Sequence, residues 1–253
     1  MVLTGSAERA RQTRHARKLP EGFAFFRSEW MDGGKDPVLS PTVFLVEQPP
    51  GSVLAPHFHT QNQFQVVMSG SGRLGAHEVA TGSVHYAGAF TGYGPVVAGP
   101  QGLNYFTLRP VFEIGANFVA SARGRMVRGP KRHMQGPPVP QASAAELGAL
   151  AGPAWFHAIE PQADGLAASL CSLPPGGQAE APVPVPVPAA SGQFQLVMAG
   201  AMRHGAGQLE VWESRYLQAG EPGGMLQAGP EGLQVLLLQV PAKAAEYLVH
   251  RPA

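Results

Sequence analysis

The sequence contains itself twice. Gln63-Phe64-Gln65-Val66-Val67-Met68-Ser69-Gly70 returns as Gln193-Phe194-Gln195-Leu196-Val197-Met198-Ala199-Gly200, an offset of 130 residues. The same offset carries Tyr86 to Tyr216 and Phe25-Phe26 to Trp155-Phe156, and it maps Gly99-Pro100-Gln101-Gly102-Leu103 onto Gly229-Pro230-Glu231-Gly232-Leu233. Before Gln63 the register slips. Pro49-Pro50-Gly51 matches Pro174-Pro175-Gly176 at an offset of 125, so the second copy holds five extra residues ahead of Gln193. Such a repeat confines the chain to two head-to-tail copies of one fold, each of about 100 residues.

Each copy reads as β-structure. Thr42–Val46, Gln63–Met68, Asn104–Leu108 and Glu113–Val119 are short apolar runs, and Gly and Pro punctuate the intervals between them. With Gly 32, Pro 25 and only 14% charged residues, many short strands joined by tight turns are expected, as in a sandwich or barrel. Ser143-Ala144-Ala145-Glu146 has the pattern of a capping box and predicts a short helix between the copies. The expected division is an N-terminal arm over 1–23, a first barrel over 24–122, a linker over 123–152 and a second barrel over 153–253.

Charge excludes some partners. Lys+Arg 18 against Asp+Glu 17 gives no electrostatic case for nucleic acid. The basic start (Arg9, Arg11, Arg14, Arg17, Lys18) has no apolar run behind it and reads as a solvated arm rather than a leader. The basic stretch Arg123–Arg132 reads as a solvated connector rather than an anion site. No run is long enough to span a bilayer, so no membrane partner is expected. The single cysteine, Cys171, permits neither an internal disulfide nor a cysteine-rich zinc site, and it is compatible with the cytoplasm.

The chemistry concentrates in Gly51–Gln63. His57 and His59 are two apart, so on a strand both imidazoles face one side, which is half of a transition-metal site. The alternative is two unrelated histidines. The spacing around the pair runs Gly51, five residues, His57-Phe58-His59, three residues, Gln63, six residues, Gly70. This resembles the first motif of the cupin superfamily, with Gln63 in place of a glutamate. The second motif is matched only by Gly82. Its Pro, Gly, His and Asn become Gly88, Phe90, Tyr93 and Val97. The duplicated layout is similar to a bicupin from about residue 24 onward.

That resemblance implies an all-β chain of two tandem cupin-type barrels, the double-stranded β-helix or jelly roll, with the second one degenerate. It places the metal-ligand positions on His57, His59, Gln63 and Tyr93, with one divalent transition metal, iron foremost, then manganese, nickel or zinc. An amide oxygen is a weak ligand, and a phenol ligates well only when ionised. Two roles therefore stay open for Gln63, ligand or structural residue, since its counterpart Gln193 stands where no histidine pair exists. Tyr93 is a ligand, a proton donor beside the metal and so a catalytic residue, or a space filler; its counterpart is Gly223. Of the adjacent His85 and Tyr86, one is expected to face the interior. Tyr86 reads as core, His77 as exposed, and Asn104 and Tyr105 as alternating on a strand that could line the pocket. Val53, Leu54, Phe64 and Val66 are expected as apolar lining. Pro182–Ala189 should be an extended edge over the mouth of the second barrel.

The resemblance implies a metal-dependent enzyme, foremost a mononuclear-iron dioxygenase-like oxidoreductase acting on a small aromatic or carbonyl compound. A metal-dependent lyase or isomerase is the competitor, and a non-catalytic binding or structural bicupin is the alternative from another class. A homodimer is expected.

Overall fold

The computed structural model describes residues 3–182, 192–221 and 223–248. It divides into two compact units. One joins Ala10–Pro138 to Lys243–Ala253, and the other joins Met1–Arg9 to Val139–Ala242. Both are antiparallel β-structures of the barrel type that the repeat predicts. No helix of the described residues is long and apolar enough to cross a membrane.

In the first unit the strands lie in the order His133–Gln135, Val84–Ala87, Gln63–Leu74, Val96–Arg109, Thr42–Gln48, Ala24–Asp32 and His15–Lys18. The second follows the order Leu3–Gly5, Ser214–Leu217, Gly192–His204, Met225–Val240, Ala167–Leu173 and Ala154–Ile159. The repeat is visible residue by residue. Phe64 pairs with Tyr86 and Phe194 with Tyr216, their rings 5.2 and 4.8 Å apart at the same 57° tilt. The glycine ending each motif has a physical reason. Gly70 and Gly200 both have positive φ, and a Cβ on either would run into the carbonyl of Gly102 or Gly232 on the neighbouring strand.

The segments outside the repeat behave differently from the sequence reading. The described residues 3–23 are not a free arm. Leu3–Gly5 pairs with Ser214–Leu217 in the second unit, and His15–Lys18 pairs with Ala24–Asp32 in the first. Edge strands present unpaired backbone groups, and these short segments satisfy them. The connector is likewise tied down. His133–Gln135 adds a strand beside Val84–Ala87, and the Tyr247 ring, 5.0 Å from Phe90, donates its hydroxyl to the Pro130 carbonyl. Glu113–Val119 is not one strand. Only Asn117–Phe118 is extended, and a helical turn starts at Val119. The capping box forms as read, with the Ser143 side chain accepting from the Glu146 N–H. The Pro182–Ala189 alternation falls almost wholly outside the described residues.

Candidate functional site

Strand parity builds the site. Side chains two apart on a strand share a face. On Gln63–Leu74, Gln63 and Gln65 turn inward while Phe64 and Val66 pack on the other face. On Val96–Arg109, Tyr105, Thr107 and Arg109 line the interior of the first barrel. His57 meets Tyr93 as a cross-strand neighbour, the two backbones exchanging hydrogen bonds of 3.1 and 3.0 Å.

The fold brings the four sequence-selected residues together, all buried. His57 Nδ1 lies 2.8 Å from the Ala55 carbonyl and must donate to it, which leaves Nε2 as an acceptor. The Tyr93 hydroxyl, 2.9 Å away, donates to that Nε2. Gln63 Nε2 donates to the Tyr93 oxygen at 2.6 Å. The rings of His57 and His59 stand edge to face, 5.2 Å between centroids.

Two residues the motif reading missed complete the network. Arg109 Nε donates to Gln63 Oε1 at 2.9 Å, and its Nη2 lies 3.1 Å from both ring nitrogens of His59. Glu113 approaches His59 Nδ1 at 3.4 Å and Arg109 Nη1 at 4.0 Å, and its other oxygen accepts from the Thr60 N–H at 2.8 Å. Position on one inward strand face with Tyr105 was the available signal for Arg109. Glu113 sits in irregular chain, and no local pattern marks it.

The protonation states follow from burial. Desolvation, with His59 adding to it, lowers the His57 pKa to about 3, so this imidazole is neutral. Desolvation also lowers His59, Arg109 beside it acting in the same direction. Burial raises Tyr93 well above the ordinary phenol range despite Arg109 and the Gln63 amide. Burial pushes Glu113 up, but His59 and Arg109 outweigh it and hold the carboxyl below its usual range.

In this arrangement the donor set does not fit a divalent ion. The guanidinium fixes the Gln63 amide with its oxygen toward Arg109 and its NH2 toward Tyr93, so the amide offers the centre no lone pair. With no cation at the centre, burial keeps the phenol protonated. Two neutral imidazoles remain, with a permanent cation 3.1 Å from one of them. Among the described residues no three His, Cys, Asp or Glu side chains are placed to share a metal.

A cavity of about 60 Å³ adjoins this network. His57, His59, Tyr93 and Arg109 line its polar side, and Phe23 and Phe25, stacked at 5.0 Å, line the apolar side. Of the expected apolar lining only Leu54 reaches it. Val53 is 52% exposed, and Phe64 and Val66 face away. His85 and Tyr86 are both buried. His85 donates from Nδ1 to Gln65 Oε1 at 3.1 Å, and Tyr86 packs on Phe64. Tyr105 lines the cavity, whereas Asn104 donates to Ser69 at 2.9 Å on the opposite face. His77 is exposed.

No protein-family model and no curated protein matches the sequence. Solved structures do. A putative dioxygenase from Nostoc punctiforme is similar over 100% of this chain and 84% of its own, at 12% identity and a TM-score of 0.59. A mutant oxalate decarboxylase from Bacillus subtilis is similar over 96% of this chain and 78% of its own (13% identity, TM-score 0.55). Vicilin from hazelnut, Corylus avellana, is similar over 94% and 85% (12% identity, TM-score 0.53). A putative dioxygenase, an oxalate decarboxylase and a vicilin share this architecture, and at such identities the likeness speaks to architecture alone. Together with the strand order and the doubled register, it establishes that the chain has the all-β, cupin-type fold in two tandem barrels.

Proposed function

We propose that the first barrel is the working one, and that it binds a small organic molecule beside Tyr93 and moves a proton on it without a resident metal. The observation that carries this reading is the directed chain of hydrogen bonds that runs along the cavity wall. Arg109 donates to Gln63, Gln63 to Tyr93, Tyr93 to His57, and His57 to the Ala55 carbonyl. As a substrate C–H or O–H proton passes to the Tyr93 oxygen, the phenol proton passes to His57 Nε2. The substrate is left as an anion beside the Arg109 guanidinium and the new His57 imidazolium, an ion pair that has to offset the burial holding the His57 pKa at about 3. The reaction class is that of a lyase or isomerase.

A specific observation favours the second reading, the iron-dependent oxygenase. Nδ1 of His57 is anchored on a carbonyl and Nδ1 of His59 faces a carboxylate, the pattern of ligating histidines. One structural neighbour is a putative dioxygenase. This reading requires Arg109 to swing away and the Gln63 amide to turn over. The homodimer that the resemblance implies and the cytoplasmic location read from the single cysteine belong to the same proposal.

The test is solvent-deuterium exchange into small carbonyl compounds, followed by NMR, on protein stripped of metal and on protein reconstituted with Fe(II), Mn(II), Ni(II) or Zn(II). Exchange by the stripped protein that disappears in Tyr93→Phe is the expected result. Stoichiometric metal retained by the wild type, lost in His57→Ala/His59→Ala and required for turnover, would replace this reading with the oxygenase.

A further inference from the structure

We propose that the ligand of the first barrel presents a carboxylate, seated on the face formed by Tyr105, Thr107 and Arg109. The proposal rests on the reading of this cavity as the working site and names the chemistry that the site takes.

Four polar groups facing the cavity have donor capacity that no described residue uses. Tyr105 and Thr107, each 3% exposed, line it, and neither hydroxyl hydrogen-bonds to a described residue. Arg109 spends Nε on Gln63 and Nη2 on His59, but Nη1 has only Glu113 at 4.0 Å. Gln65 also lines the cavity. Its amide oxygen is taken by His85, which leaves its NH2 without a partner among the described residues. These four donors open onto one space, where water can satisfy them in the free protein, and an acceptor-rich ligand group can take the place of that water.

The acceptors nearby are already used. His57 Nε2 takes the Tyr93 proton, and Arg109 covers His59. Charge points the same way. Arg17, Arg27 and Arg109 line the cavity, and no carboxylate does. Glu29 is held by Arg27 through contacts of 2.6 and 3.3 Å. Arg17 is exposed at the cavity's edge and makes no ion pair with a described residue.

An anion with two oxygens matches this wall, because guanidinium and hydroxyl donors bind carboxylate through charge-assisted hydrogen bonds. The opposite wall is apolar. Phe23, Phe25 and Leu54 can cover a short hydrocarbon or aromatic remainder, which inorganic phosphate lacks. The structure thus assigns the site a small organic acid rather than a neutral carbonyl compound.

The experiment titrates the full-length, metal-stripped protein by calorimetry with acetate, propionate and benzoate. Acetamide, propionamide, benzamide and inorganic phosphate are run beside them. At least one acid should saturate a single site, with its amide weaker by about tenfold or more. Thr107→Val, nearly isosteric, should weaken the acid by about three- to tenfold and leave the urea midpoint in place. Amides that bind as tightly as the acids would overturn the carboxylate and leave the small-molecule site standing. Phosphate that matches the best acid would overturn the organic-acid assignment. Absence of binding by every acid and every amide would remove both the assignment and the working-site reading.

Discussion

The two barrels share a scaffold and differ in what one strand points inward. In the first, the inward face carries Tyr105, Thr107 and Arg109; at the offset of 130 the second carries Val235, Leu237 and Gln239. Val235 and Leu237 are buried in an apolar cluster with Cys171, Leu173, Val197 and Leu226. The glutamine pair persists in both. Gln193 accepts from Gln195 at 2.7 Å and donates to the Pro182 carbonyl at 3.3 Å. Arg215 stands where the first barrel has His85, and it donates to Gln195 as His85 donates to Gln65. Tyr93 has no counterpart for a steric reason: at Gly223 a Cβ would lie 2.5 Å from the Ala181 carbonyl. The inward glutamines are therefore part of the scaffold, since they survive where the histidine pair is gone. A cavity lies beside the polar strand face of the first barrel, whereas in the second the corresponding Val235 and Leu237 are buried in an apolar cluster, each contributing about 1.5–3 kcal/mol by burial.

The largest test exchanges the cation. Arg109→Leu should cost about 3–5 kcal/mol in urea unfolding, because Glu113 keeps its charge in a buried place with its cation gone. Arg109→Gln, which installs the second barrel's residue, should cost less and lose acid binding equally. Gln239→Leu should cost only about 1–2 kcal/mol; a loss as large as that of Arg109→Leu would erase the distinction between the barrels.

Next comes the filling. Leu237→Thr places a hydroxyl in a packed apolar core and should cost about 2–4 kcal/mol. The reverse change, Thr107→Leu, enters a cavity and should stay within about 1 kcal/mol of wild type in thermal unfolding. Equal penalties would mean that the first barrel's cavity is as tightly packed as the second barrel's core.

Acid should destabilise the first barrel selectively. His57 and His85 have pKa values lowered to about 3 by burial, against 6.5 for a free imidazole. The unfolded chain therefore binds protons that the folded barrel refuses. Stability is fully present above pH 6.5 and falls by up to about 1.4 kcal/mol per pH unit for each histidine as pH drops toward 3. His85→Gln should flatten the midpoint-versus-pH curve in that window; an unchanged slope would show that His85 is solvated.

The smallest effect belongs to the second barrel. Buried Tyr216 has no hydrogen-bond partner for its hydroxyl among the described residues. Tyr216→Phe should be neutral or stabilise by up to about 1 kcal/mol, read as a rise in the thermal midpoint. A clear loss would reveal an acceptor at that hydroxyl.

Much of the site was legible because it is local. His57 and His59 lie two apart, one on the short strand His57–Phe58 and the other just past its end, and the resemblance to the cupin motifs led to Gln63 and Tyr93, which the fold brings together with them. Arg109 was not legible, although it orients Gln63 and faces His59, because an arginine at a strand end reads as a solvated residue until its neighbours are known. The apolar walls were misplaced for a related reason. Phe64 and Val66 belong to the face opposite Gln63 and Gln65, and parity says which residues share a side but not which side is the interior.

The sequence by itself determined the duplication, the β class, the turns that require glycine and the helix cap at Ser143. Each of these depends on residues near one another in the chain or on a copied pattern. Tertiary structure decided what fills each barrel, where the terminal segments pair, and that a cation stands among the residues the motif marks for a metal. Those outcomes depend on burial and on partners as much as 50 residues apart, such as His59 and Arg109. The desolvation that makes such a pairing matter exists only once the barrel has closed around it.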